Sequence, residues 1–266
     1  MSGERKARTS ELNGRLWGSC ADDWAEIQEA ACRPVYDAVM DRVALTPETA
    51  YLDAGCGAGM AAQIARKRGA VIHGHDAASA LVDIARKRVP DGEFSVGDLE
   101  DLPFEDAKFD LVTGFNSFQY AGNPVLALSE AKRVSKPKAL VVIMTWGTPE
   151  GMEAASLLAA LKPLLPPPPP GAPGPFALSD ESALKDFASS AGLEPIEVFD
   201  VDSPWYYQDL QTALRGLRSS GVSVKAIENS SIDAVNEAHT LALEAFRQHD
   251  GSYRIGANFR CLLTYA

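Results

Sequence analysis

Nine consecutive residues carry the densest chemical signal in the chain: Tyr51-Leu52-Asp53-Ala54-Gly55-Cys56-Gly57-Ala58-Gly59. They join a short apolar run, which reads as a strand, to a helical pattern that starts at Met60. Glycines at such a junction permit a tight turn and let a ligand approach the backbone closely. Two neighbours decide what that ligand is. The small third residue of a dinucleotide loop is replaced by Met60, which is bulky for close helix–sheet packing. Asp53 stands two positions before Gly55. A carboxylate there would repel a pyrophosphate and attract an ammonium, such as that of a methionine moiety. The alternative is that Asp53, Gly55, Gly57 and Gly59 form only a structural turn.

Further along, Gly74-His75-Asp76 puts a carboxylate 21 residues after Gly55, with Ala77 beside it. An acid at the tip of a second strand can accept hydrogen bonds from ribose hydroxyls. In Gly97-Asp98-Leu99, the Asp98 side chain could accept from an adenine amino group, and the Leu99 amide could donate to the ring. Asn116, after the run Phe109-Asp110-Leu111-Val112, either contacts the amino-acid end of the ligand or caps its own loop. S-adenosylmethionine (SAM) has the ammonium, the ribose and the adenine, and no phosphate.

Other residues carry less. Trp24 lies on an apolar stripe and serves either the core or a ligand wall. Cys56 has no activating partner nearby and reads as a packed thiol. His73, His75, His239 and His249 could act as bases, although histidines in such patterns are more often structural. Tyr120, Trp205, Tyr206, Tyr207 and Arg260 could line an acceptor pocket, and packing is the commoner use of such side chains. Glu100, Asp101, Glu105 and Asp106 read as a solvated loop face, lacking the grouping a metal favours. No catalytic residue and no metal ligand is nominated.

The elements that must position these groups alternate. Strands are predicted at 50–54, 70–75, 93–96, 109–114 and 139–146, with helices at 60–68, 79–88 and 124–134 between them. This alternation implies right-handed crossovers and a largely parallel sheet. Before it, residues 1 to about 18 look frayed. A helical stripe then runs from Ala21, and Pro34 starts a second helix or kinks the first. After it come a proline-rich run with Pro166 to Pro170 consecutive, a helix over 180–191 with Ser179 as N-cap, and a strand over 193–202. Two or three helices follow within 209–248, and a last strand covers about 255–265. The proline run reads as a stiff connection, or alternatively as a substrate lid.

These segments, in this order and spacing, resemble the class I SAM-dependent methyltransferases, in the style of their small-molecule, ubiquinone-biosynthesis-like branch. The likeness is strongest from Ala50 to Trp146. It continues through Glu130-Ala131-Lys132-Arg133-Val134-Ser135-Lys136-Pro137, where Lys138 replaces the family's usual glycine, and touches Trp17-Gly18 and Asp22-Asp23-Trp24. The resemblance implies an α/β, Rossmann-like fold: a seven-stranded, mostly parallel sheet with the last strand antiparallel, helices on both faces and helical cap insertions. SAM would lie across the carboxyl ends of strands one, two and four. Its binding set would be Trp24, Asp53, Gly55, Gly57, Gly59, Asp76, Ala77, Asp98, Leu99 and Asn116. One domain is expected, with its core at about 44–150, 179–204 and 253–266, and cap elements at about 14–43, 151–178 and 205–250.

Charge and composition narrow the partners. A net charge of −11 disfavours nucleic acid and anionic membrane surfaces. Four cysteines without metal-ligand spacing read as reduced thiols of a cytoplasmic protein, and Met1–Asn13 is too polar for a secretory leader. The expected function is methyl transfer to an O, N or C atom of a small-molecule acceptor, by a monomer or homodimer. The alternatives are a SAM-binding cyclase or decarboxylase, and a non-catalytic SAM-sensing subunit.

Overall fold

The structure, a computed structural model, describes residues 9–167 and 174–266. The amino-terminal segment holds α1 (Ser10–Gly18), α2 (Ala21–Asp23) and α3 (Arg33–Arg42). The alternating region follows as β1 (Ala50–Ala54), α4 (Met60–Lys67), β2 (Val71–Asp76), α5 (Ser79–Arg88), β3 (Glu93–Val96), β4 (Phe109–Phe115), α6 (Pro124–Val134) and β5 (Ser135–Trp146). The remainder is α7 (Ala155–Leu161), α8 (Glu181–Ser190), β6 (Glu194–Asp202), β7 (Trp205–Tyr207), α9 (Leu210–Arg218), α10 (Gly221–Asn229), α11 (Ile232–Leu243), β8 (Tyr253–Ile255) and β9 (Asn258–Tyr265).

Seven strands form one sheet in the order β3-β2-β1-β4-β5-β9-β6. The pairs from β3 to β5 are parallel, while β9, the last strand, runs antiparallel between β5 and β6. This is the mostly parallel, Rossmann-like arrangement anticipated above. Both faces are covered, so the central strands are buried almost continuously instead of alternating. On β5, Val141 and Ile143 pack with Leu52, Val112, Leu128 and Leu262 on one face. Val142 and Met144 pack with Val39, Met40, Tyr51 and Leu111 on the other.

Several boundaries differ from the sequence reading. Ser10–Gly18 is helical, not frayed: Leu16 is buried, and Gly14 lies so close to the Ala77 carbonyl that a Cβ there would be 2.3 Å from the oxygen. The stripe from Ala21 becomes α2, a π-helical turn (Trp24–Gln28) and a 3-10 turn (Glu29–Cys32), and α3 then starts with Pro34 in its first turn. Strand five begins at Ser135, which pairs with Phe109; Lys138 takes φ +65°, so it adopts the left-handed kink where a glycine was the usual residue. Asp180, not Ser179, caps α8, accepting from the Ala183 amide at 2.9 Å, while the Ser179 hydroxyl donates to the Trp146 carbonyl. The final run divides in two, because Ile255 pairs with Trp205 in a separate β7–β8 ribbon. The helices within 209–248 number three, capped by Asp209, Ser220 and Ser231. Pro168–Pro170 of the proline run lie outside the described residues. Among the described residues, no helix is long and apolar enough to cross a membrane.

Ile143 is 1% exposed in the middle of β5. Ile143→Ala should leave a cavity between the sheet and its helices and cost about 2–5 kcal/mol, read as a lower urea midpoint at unchanged slope.

Candidate cofactor site

The glycine loop is hung from the tip of β2. The amides of Gly55 and Cys56 both donate to the His75 carbonyl, at 2.7 and 3.2 Å. Gly55 has φ +84°, and a Cβ there would lie 2.3 Å from the Ser117 Cβ; Gly59 has φ +83°, with its Cβ position 2.8 Å from that of Ala85. Conformation and space both demand glycine at these two positions. The loop then enters α4, whose Ala61, Ala62 and Ala65 are buried.

Asp76 closes the arrangement. One carboxylate oxygen accepts from the Gly57 amide at 2.9 Å and the other from the Ala78 amide at 2.8 Å. Burial raises this carboxyl above the usual carboxylate value, and those two amides work against the rise. Each oxygen retains a lone pair beyond the amide it holds, so a diol could still be bound.

Around this floor one cleft opens at the carboxyl ends of the parallel strands. Trp24, Gly55, Gly57, Asp76, Ala77, Asp98, Leu99 and Asn116 all line it. Trp24 meets Trp17 edge-on, with ring centroids 5.0 Å apart, and Trp17 meets Tyr120 at 5.9 Å. The Trp24 indole N–H is buried and makes no hydrogen bond. Asp98 is 7% exposed and accepts from the Glu100 amide at 3.0 Å. Asn116 takes φ +55°, an uncommon conformation for a non-glycine residue, held by its amide bond to the Met144 carbonyl. Its side-chain oxygen accepts from Gln119, which leaves its amide nitrogen as the donor. Two members of the anticipated set stand outside the walls. Gly59 packs on Ala85, and Asp53 lies beneath the loop.

Asp53 is 1% exposed and accepts from the Thr113 hydroxyl, which is itself paired with Tyr51. Desolvation pushes its carboxyl up to about 7; the Thr113 hydrogen bond opposes this, and the charges of Glu29 and Asp76 add to it. The folded protein thus holds this proton more tightly than the unfolded chain does.

The other sequence candidates have structural surroundings. His73 and His75 sit in β2, next to Glu93 and Ser95 respectively, and burial lowers both. His239 is pushed down to about 4, first by burial and then by Arg218. Cys56 is buried, and that burial raises its thiol. Of the suggested acceptor-pocket residues, Tyr120 lines the cleft. Trp205 packs near Trp146, Tyr207 donates to Gln28 at 2.7 Å, Tyr206 is exposed, and Arg260 pairs with Asp200 at 2.7 Å. Among the described residues, the lining contains no lysine, arginine or histidine.

Sequence reading put 14–43 in the cap but named none of the wall residues Thr9, Ser10, Asn13, Cys32 and Tyr36, which come from α1 and the residue before it, the 3-10 turn and α3. The spacing of Leu12, Leu16 and Trp17 behind Thr9-Ser10 carried a helix signal that could have revealed the first of these.

The contribution of Asp53 to stability should fall as pH rises from 3.8 toward about 7, because over that range the unfolded chain gives up the Asp53 proton first. Asp53→Asn should flatten this slope, measured as urea unfolding at several pH values. An equal slope in the variant would contradict the assignment.

Comparisons with known proteins agree with this geometry. Residues 52–143 match the family model described as a methyltransferase domain. Malonyl-[acyl-carrier protein] O-methyltransferase of Serratia marcescens is 32% identical over 37% of this chain and 39% of its own length. Demethylmenaquinone methyltransferase of Thermotoga maritima is 38% identical over 35% of this chain and 42% of its own. The chain thus spans about two fifths of the length of these curated relatives. The crystal structure of the cyclase SpnF superposes with a TM-score of 0.59 at 20% identity, covering 97% of this chain and 93% of that one, a likeness of fold. With the sheet order, the glycine loop and the acids at the strand tips all in place, residues 52–143 carry a methyltransferase domain, and the chain is similar to the class I SAM-dependent methyltransferases.

Proposed function

We propose that the protein transfers a methyl group from SAM to an O, N or C atom of a small-molecule acceptor, chiefly by proximity and orientation. The observation that carries this reading is the convergence of the glycine loop, Asp76, Asp98 and Asn116 on one aromatic-walled cleft. The residues fit the cofactor. Loop positions without Cβ leave room for close approach, Asp76 faces a ribose site, and the unpaired Trp24 N–H offers a donor. When bound, SAM supplies a methyl group already activated on sulfonium.

The chain's own residues bind, orient and exclude water. Asp76 holds the diol, and Asp98 with the Leu99 amide reads the adenine. Asn116 holds the amino-acid end, and the absence of side chains at Gly55 and Gly57 lets that end lie against the loop. Asp53 acts from below as a buried charge, and Gly59 lets α4 close on α5. Trp17, Trp24 and Tyr120 wall the cleft, with Tyr36 and Phe115 on the acceptor side. Positioning of this kind can supply as much as ~7–11 kcal/mol of the barrier. The cleft's described lining offers no histidine or lysine base, so the reading favours acceptors that need none. The domain reading extends it: a core of about 44–150, 179–204 and 253–266 carries the cofactor, and the segments at about 14–43, 151–178 and 205–250 form the cap. The acidic chain acts in the cytoplasm as a monomer or homodimer, without a nucleic-acid or membrane partner.

Two measurements test this reading. Incubation with methyl-labelled SAM and a pool of small metabolites should release S-adenosylhomocysteine in step with one methylated compound; a sensor would bind and release nothing. In calorimetry, S-adenosylhomocysteine should bind and NAD should not. Asp76→Ala should weaken S-adenosylhomocysteine by roughly 1.5–3 kcal/mol for each hydrogen bond lost. Equal affinity in a folded Asp76→Ala protein would remove the ribose assignment.

A further inference from the structure

Glu29 is 2% exposed, yet no apolar stripe or motif explains its burial. It starts the 3-10 turn that follows the π-helical turn at Trp24–Gln28. One carboxylate oxygen accepts from the Met60 amide at 3.1 Å, and the other pairs with Arg88. Arg88 is the last residue of α5, and its guanidinium also donates to the Ala58 carbonyl at 3.0 Å and the Ala25 carbonyl at 2.7 Å. One ion pair therefore joins three segments: the Trp24 turn, the glycine loop and the end of α5.

The connection has a local cause. Helix α4 starts from Gly59, which has no side chain with which to cap it. Glu29 meets this need from 31 residues upstream, bringing a negative charge to the positive end of the helix. Stability is a weak reason to keep such a pair, because desolvation of two charges offsets most of their attraction. Burial indeed raises the Glu29 carboxyl, against the pull of Arg88 and of the Met60 and Ala58 amides. What the pair fixes is a distance. A Cβ built on Gly57 would lie 3.6 Å from the Trp24 indole nitrogen and 3.8 Å from the Glu29 carboxylate. The Trp24 wall and the Gly57 floor of the cleft are thus held together by the same carboxylate.

We propose that Glu29 and Arg88 are positioning residues that set the separation of Trp24 from the glycine loop, and through it the affinity for the cofactor. The inference rests on the SAM-binding reading above. It predicts that Glu29→Gln and Arg88→Lys each weaken S-adenosylhomocysteine binding by about tenfold in calorimetry, well below the unfolding temperature of each variant. It also predicts that the loss is not additive with that of Trp24→Phe, since both act on one wall. Arg88→Lys keeps the charge at a side chain that is 21% exposed, so it decides the matter if Glu29→Gln does not fold. Folded variants with a lower unfolding temperature and wild-type affinity, or losses that simply add to Trp24→Phe, would overturn the inference and leave the SAM reading standing. A wild-type protein that binds no S-adenosylhomocysteine would remove the SAM reading, and this inference with it.

Discussion

The His75 carbonyl takes two amides from the glycine loop, and the next residue, Asp76, takes a third from Gly57. Through these bonds the end of β2 dictates the path of the chain leaving β1. They bind only if β1 and β2 are parallel and in register, as the pairing of Ala54 with His75 provides. They also require the loop to bend through left-handed conformations, which Gly55, Gly57 and Gly59 supply. Remove the register and the amides lose their acceptor; remove the glycines and Ser117 or Ala85 is in the way. The rest of the site is built outward from this knot. Asp76 carries it to the start of α5 through Ala78, and Gly59 lets α4 pack against α5.

The electrostatics follow from the same crowding. Asp53, Asp76 and Glu29 lie around one loop, and burial raises all three. For Asp53 the charges of the other two add to the rise. Of the three, only Glu29 is matched by a cation among the described residues, Arg88. A positively charged ligand relieves the remaining strain, and a neutral one does not. Under the proposed reading, charged SAM is favoured over its uncharged sulfide product by the very groups that burden the ligand-free protein.

Much of this was legible in the sequence because the signals were local. The glycine loop, Asp76 and Asp98 each stand at the end of a predicted strand, and a parallel sheet brings such ends to one edge. Ordinary periodicity located β1 to β4 to within a residue or so. The failures were of another kind. Strand five starts early because Lys138 takes a conformation its side chain disfavours, a choice made by the sheet and not by propensity. The last strand breaks because Ile255 is claimed by Trp205, 50 residues away. Tertiary pairing overrode local pattern in both cases.

The most consequential omission was the amino-terminal wall. Its residues look like a polar leader followed by a modest helix, and although 14–43 was expected in the cap, nothing local singles out Thr9, Ser10 or Asn13 as part of the site. What orders them is long-range: Gly14 against the Ala77 carbonyl, Asn13 donating to the Tyr120 carbonyl at 2.8 Å, and Trp17 between Trp24 and Tyr120. Every one of these partners belongs to the cleft or stands beside it. The segment is therefore ordered by the site that it completes. The same holds for Glu29, whose burial makes sense only once α4 and α5 are in place. A residue whose partners come from two distant segments leaves no periodic trace in its own neighbourhood. In this fold the floor of the cofactor cleft is written locally, and its wall is written across the chain.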